Sequence, residues 1–302
     1  MANERDAIIK MMSQAQAAQL RQENALVRQI LAAYDDARKS LMGELSLAFS
    51  RLGDDPSREA IRRLASQSSL IQAIEQRMAQ LSAQLGREMR EALAEMLAAT
   101  ADDVSAQVLL LANALEVSFI RFGVDEIVEL TIQTAIEQIP GLISTLQSSL
   151  VAELRSGLAQ GQRFSELRDR LFTLNNSIFA RGKTSAELMV RRAVVQAANN
   201  ARQIFIQQAA EQVPGLARQV VAHIGGDTTK LCLRAHGQIQ PIDKPFELSS
   251  GPPDPFQRKM MAPPFHWNCR TSVVPYHPRF EQTSSLTTEK MVAAAQAQLA
   301  KL

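Results

Sequence analysis

Two short clusters toward the C-terminal end carry the residues best suited to chemistry. Cys232 and His236 stand with three residues between them, and His266 and Cys269 with two. Two thiolates and two imidazoles are the ligand types of tetrahedral zinc, and the short spacing lets one turn present both members of each pair. Other uses of the same residues stay open. The thiols can be buried as small hydrophobes, with His236 in a turn before Gly237 and His266 on a backbone carbonyl. Cys232 and Cys269 can pair as a disulfide, although two cysteines in 302 residues make no disulfide framework and point to a reducing compartment. Cys269, His266 and Asp227 can be written as nucleophile, base and orienter, yet nothing around Cys269 supplies an oxyanion hole. Acidic residues for a metal nuclease are sparse here, and no Gly-rich phosphate loop of the Walker type occurs. The expectation is a protein that is not an enzyme and has no resident cofactor, with structural zinc at Cys232, His236, His266 and Cys269 left open as the exception. The alternative is a metal-dependent enzyme or toxin-like effector built on the same cluster.

These residues need a frame. Pro263 and Pro264 fix φ and lack backbone donors, so they make a stiff lead-in to His266, Trp267, Asn268, Cys269 and Arg270. Residues 241–264 hold seven prolines and read as a loop with little regular structure, closed by a clamp at its ends. Strands are expected at 217–224 and 271–274, a turn at 225–227, and a short helix or irregular segment at 231–239.

Upstream the chain reads as helix. Apolar residues recur at helical spacing over 8–52, with a break possible near Ser40 or Gly43, and Gly53 to Pro56 stop that helix. A second helix, 56–99, carries Leu64, Ile71, Ile74, Met78, Leu81 and Leu85 as a stripe suited to an antiparallel hairpin with the first. Thr100 to Asp103 has capping-box spacing and is expected to open a new helix, 104–121, ended by Gly123. Further helices are expected at 125–138, stopped by Pro140 and Gly141, and at 142–159, stopped by Gly161. Ser165 is expected to cap a short helix reaching Leu171. Residues 173–183 read as a polar hinge, and Thr184 as the cap of a long helix to Gln212, ended by Pro214 and Gly215. Residues 287–302 form an amphipathic tail after a Ser/Thr-rich linker. The resulting fold class is mainly α: a long helical N-terminal region, then a small α+β module with a Pro-rich loop and short strands. The expected segments are 1–123, 124–222, 223–282 and 283–302.

Composition excludes some functions. Lys plus Arg number 33 against 31 Asp plus Glu, so net charge gives no general argument for binding nucleic acid or membrane. The most apolar stretch, 108–120, is too short to span a bilayer and contains Asn113 and Glu116. The N-terminal residues lack the apolar core of a secretory signal. Local basic clusters, Arg58, Arg62 and Arg63 or Arg191 and Arg192 with Asn200, are either solvated helix faces or contacts for DNA or a partner.

The block Pro263, Pro264, His266, Asn268, Cys269, Arg270 resembles the closing signature of the phage Mu F-like minor head proteins, also described as phage head morphogenesis proteins. Asp227, Thr228, Cys232 and Gly237 match that family's upstream block. Weaker echoes are Gly161, Glu166 and Leu167, then Arg192, Ala198 and Asn200, so the resemblance covers about residues 148–275. This chain departs from the family pattern at Thr229 and Thr271, where the family often has Cys, and at Ala193 and Val194, where it has Thr-Glu. The resemblance implies a minor capsid component of a tailed phage, associated with the portal and the capsid interior and active in head assembly, packaging or genome delivery. Portal protein, major capsid protein and packaged DNA are the implied partners, in several copies per virion, with assembly in the host cytoplasm.

Overall fold

Helices dominate the computed structural model, which describes residues 2–51, 68–120, 125–224, 228–248, 259–266 and 269–278. The elements run α1 (Ala2–Ser50), α2 (Ser68–Leu115), α3 (Asp125–Ile136), α4 (Gln138–Ala159), α5 (Phe164–Arg168), a π-helical turn (Asp169–Thr173) and α6 (Ile178–Gln212). A small β-rich part follows: β1 (Ala217–Val221), α7 (Lys230–Ala235), β2 (Ile239–Pro241), β3 (Phe246–Glu247), β4 (Lys259–Met260) and β5 (Ser272–Tyr276). The mainly α class with a short-stranded C-terminal part is what the sequence leads one to expect. The expected tail, the stop at 53–56 with the start of the second helix, Gly123, the turn at 225–227 and the cluster at Arg58, Arg62 and Arg63 lie outside the described residues.

Several expected helix boundaries are corrected, each for a local reason. α1 passes Ser40 and Gly43 without a break. α2 runs straight through Thr100, because the buried Thr100 hydroxyl donates to the Met96 carbonyl one turn back, at 2.8 Å, instead of capping a new start. Pro140 does not end a helix. It lies in the first turn of α4, where a backbone N–H has no intrahelical partner to lose. Ser165 lies within α5, whose N-cap is Arg163. α6 begins at Ile178 rather than Thr184: Ser177 Oγ accepts from the Ala180 N–H at 3.3 Å, while the Thr184 hydroxyl turns back to the Ala180 carbonyl. The expected hinge shrinks to residues 174–177. Gly161 and Gly215 do end α4 and α6, at φ +69° and +82°.

The chain divides into two compact units that do not follow sequential cuts, because three long helices each contribute to both. One unit is Met1–Glu23, Leu93–Gln133 and Arg192–Leu302; the other is Asn24–Ala92 and Thr134–Arg191. In the second unit, Leu26, Ile30, Tyr34, Leu41 and Leu45 of α1 and Ile74, Met78, Leu81, Leu85 and Met89 of α2 are buried. Such i, i+3, i+4 stripes bury one face of each helix and drive their association. Arg77 pairs with Glu44 at 2.9 Å. In the first unit Gln22 meets Glu95 at 3.5 Å. Lys183 binds Asp35 at 2.7 Å, and Phe172 of the π-helical turn packs on Phe179 with ring centres 5.4 Å apart.

The first unit holds the sheet, in the order β2-β1-β5, all antiparallel. β1 pairs Val220 with Val273 and Gln219 with Val274 on one side, and Arg218 with Gln240 on the other. Both β5 valines and Val220 are buried. The buried positions of α6 in this unit include Ala193, Ala197, Ala198, Ala201 and Ala209, small side chains that allow close backbone approach. Asn199 ties α6 to the sheet: its amide donates to the Thr271 carbonyl at 3.1 Å, just before β5. The Pro-rich loop is more ordered at its ends than its composition suggests, for β3 and β4 pair Phe246 with Met260 and Glu247 with Lys259.

Candidate functional site

Cys232 occupies the first turn of α7. Thr229 caps that helix, its hydroxyl oxygen accepting the Cys232 N–H at 3.3 Å. On the other strand of chain, a cis Pro263-Pro264 bond leads to His266, and the Cys269 N–H closes a turn onto the His266 carbonyl at 3.3 Å. That turn aims His266 and Cys269 the same way, as the two-residue spacing between them leads one to expect.

The two clusters meet. Cys232 Sγ lies 3.6 Å from Cys269 Sγ and 2.8 Å from His266 Nε2, and the Thr229 hydroxyl lies 2.9 Å from the same nitrogen. Both cysteines are free thiols and buried. The Sγ and Nε2 atoms of Cys232, His266 and Cys269 all fall within 4.8 Å of one another, the one such group of metal-binding side chains among the described residues.

His236 does not join them, which corrects the expected four-ligand set. Its Nδ1 instead accepts the Ala222 N–H at 3.0 Å, just past β1, and burial pushes its pKa below the ordinary imidazole value. The folded state binds a proton there less readily than the unfolded chain, so the stabilisation is complete above the unfolded value of about 6.5 and is lost as pH falls through the folded value. Between pH 7 and pH 5 the wild type should therefore lose more stability in urea unfolding than His236→Asn, which cannot titrate. Equal losses in the two proteins would remove His236 from the account.

Cys269 and Cys232 are polarised in opposite directions. A hydrogen bond from the Cys232 thiol lowers the Cys269 pKa to about 5, against the effect of burial. The backbone N–H groups of Phe265 and Thr271 and the Thr271 hydroxyl assist it. Cys232 is pushed up by giving its proton to that bond and by its own desolvation. The Cys232 thiol is thus the donor and Cys269 the acceptor of their shared hydrogen bond.

The remaining residues of the two motifs frame this group. Thr228 donates to the His223 carbonyl at 2.9 Å, and Gly237, at φ +81°, makes the turn that returns the chain from α7 to β2. Arg270 is exposed beside the cluster, on the rim of a cavity of about 20 Å³ that His223, Thr228 and Thr229 also line. His223, Arg270 and Thr271 also border a larger cavity, about 260 Å³, with Gln16, Leu20 and the buried Glu23 of α1. Asp227, Trp267 and Asn268 lie outside the described residues. Arg191, in the other unit, is committed to Glu187 and to Asn24, each at 3.0 Å. Arg192 and Asn200 are exposed on α6.

Three contributors gave no recognisable signal in the sequence. Thr229 places its hydroxyl 2.9 Å from His266 Nε2, and Thr271 places one on Cys269. Arg218 of β1 is fully buried and donates to the carbonyls of Pro241, Lys244 and Met261 and to Gln203 Oε1, its guanidinium carbon 4.9 Å from the Phe246 ring centre. One arginine thereby gathers both ends of the Pro-rich loop.

Comparison with family models, with curated proteins and with solved structures returned no match to this chain. No helix among the described residues is long and apolar enough to cross a membrane.

Proposed function

We propose that this chain is a minor head protein of a tailed phage, a portal-associated structural component that acts in head morphogenesis and in packaging or delivery of the genome. The observation that carries the reading is the meeting of the two motif blocks, with Cys232 and Cys269 3.6 Å apart across 37 residues of sequence. That the two halves of the signature close into one buried clamp supports reading them as one motif, as the Mu F-like resemblance does. The long helices suit an adaptor that meets protein partners through helix faces. On this reading the partners are the portal and major capsid proteins, in several copies per virion. Packaged DNA has Arg192 and Asn200 within reach, both exposed. The protein resides in the capsid interior or at the portal vertex and assembles in the host cytoplasm. No residue is given a catalytic role.

Mass spectrometry of purified heads and virions tests this directly. The chain should be present at a low, fixed ratio to the major capsid protein, and its absence from particles that package DNA ends the proposal. The cavity beside the Cys/His group favours one competing reading, a metal-dependent enzyme or toxin-like effector. Metal-dependent turnover by the purified chain, abolished in His266→Ala, would establish that reading instead.

A further inference from the structure

We propose that Cys232, His266 and Cys269 bind one Zn²⁺ ion as a three-ligand site whose fourth position opens into the small cavity beside Thr229 and Arg270. The inference is independent of the phage reading, since it rests on the donor set alone.

The spacing of the donors fits the ion. Two thiolates on one tetrahedral zinc, with Zn–S bonds of about 2.3 Å, stand about 3.8 Å apart. The two Sγ atoms here are 3.6 Å apart. The imidazole is closer than a bound ion allows, with Nε2 2.8 Å from Cys232 Sγ. A zinc-bound nitrogen and sulfur stand roughly 3.5 Å apart, so the ring must withdraw by somewhat under 1 Å. His266 is only partly buried and ends a short loop, which leaves it room to do so.

The surroundings suit thiolate ligands. Backbone N–H groups of Phe265 and Thr271 and the Thr271 hydroxyl point at Cys269 Sγ, supplying the outer hydrogen bonds that orient a metal-bound sulfur. Two thiolates and an imidazole select Zn²⁺ over Mg²⁺ or Ca²⁺, which need hard oxygen ligands. On binding, whatever protons the two thiols carry are released to solvent, and both sulfurs bond the metal as thiolates.

The fourth position is where this site departs from a closed structural one. His236 is held by the Ala222 N–H, and no fourth Cys, His, Asp or Glu joins the group among the described residues. Thr229 offers a neutral hydroxyl, a poor ligand for Zn²⁺. The cavity there, about 20 Å³, holds about one water. His223 and Arg270 on its rim present donors and positive charge, so a small anion can replace that water.

The test uses the full chain, purified with reduced thiols. Metal analysis should find one zinc per chain. The Co²⁺-substituted protein should show a thiolate-to-cobalt charge-transfer band together with the strong visible bands of tetrahedral cobalt. Cys232→Ser and Cys269→Ser should each diminish the charge-transfer band, and His266→Ala should weaken Co²⁺ binding at least tenfold, while His236→Asn leaves the spectrum unchanged. Adding azide should shift the visible bands if the fourth position is open. The wild-type spectrum is decisive even if a variant misfolds. No stoichiometric metal and no charge-transfer band in reduced wild type overturns the site. A His236→Asn spectrum that loses tetrahedral character, or visible bands indifferent to azide, overturns the open position. A protein recovered without metal and with Cys232 disulfide-bonded to Cys269 replaces the site with a redox pair.

Discussion

Asp103→Ala should destabilise the sheet-bearing unit by about 3–5 kcal/mol, the range for stranding one member of a buried ion pair. Arg202 of α6 is 2% exposed and meets Asp103 of α2, 13% exposed, at 2.6 Å. Its Nε and Nη1 have no hydrogen-bond partner among the described residues, so this carboxylate is the principal compensation for a guanidinium taken out of water. Without Asp103 the charge stays inside α6, where alanines and Phe205 surround the same turn of sequence. The effect belongs to the stranded charge rather than to a large net worth of the bridge. Combining Asp103→Ala with Arg202→Met should therefore recover most of the loss, since the double variant buries an apolar side chain where the single variant buries an unpaired cation. Urea unfolding of the wild type, both single variants and the double variant measures this. Single variants within about 1 kcal/mol of wild type would show that water already reaches the pair and that it behaves as a surface bridge.

The same pair shows why parts of the fold were legible in the sequence and parts were not. The helices were readable because their apolar stripes repeat at the period of the structure they form, as with Ile74, Met78, Leu81 and Leu85. Their ends were read less well. Thr100, Ser165 and Thr184 are residue types that cap helices, but two of them satisfy a carbonyl one turn back and the third lies inside α5, a choice that only the neighbouring packing decides. Arg202 carries a side chain that usually lies on a solvated face. It is buried here only because Asp103, 99 residues away in sequence, is beside it. The candidate site divides the same way. Cys232, His266 and Cys269 were found through their rarity and short spacing. His236 shared both traits and was drawn off by one backbone N–H at Ala222, a contact fixed by the course of β1 rather than by any local pattern. Thr229 and Thr271 were invisible because a hydroxyl beside a thiol is significant only after the chain has folded.

Arg218→Met should cost about 3 kcal/mol or more, because it removes several charge-assisted hydrogen bonds from one buried position while nearly conserving volume. The guanidinium reaches acceptors on both sides: Gln203 Oε1 and the Met261 carbonyl, each at 2.5 Å from Nη1, and the Pro241 carbonyl, at 3.0 Å, with that of Lys244, from Nη2. Phe246 lies on its face at 4.9 Å. Burial lowers the Arg218 pKa and the nearby Asp243 charge opposes that effect. Pro241 stands at the end of β2 and Met261 just after β4, so these bonds hold the two ends of the Pro-rich loop at a fixed separation. Met261 is five residues before His266, which makes the loop's anchoring a condition for delivering the imidazole to the thiols. Arg218→Lys should not rescue the fold, since a single ammonium cannot span a planar fork of acceptors while a ring stacks on its face. Hydrogen exchange separates this local role from general destabilisation. Amides of Gln240 and Lys259 should lose protection in Arg218→Met well before those of residues 24–50 of α1 and 68–92 of α2, which belong to the other unit. If instead all amides lose protection together, or if Arg218→Lys matches wild type, the arginine is one more core side chain and the loop is held by Phe246 and Phe265 packing alone.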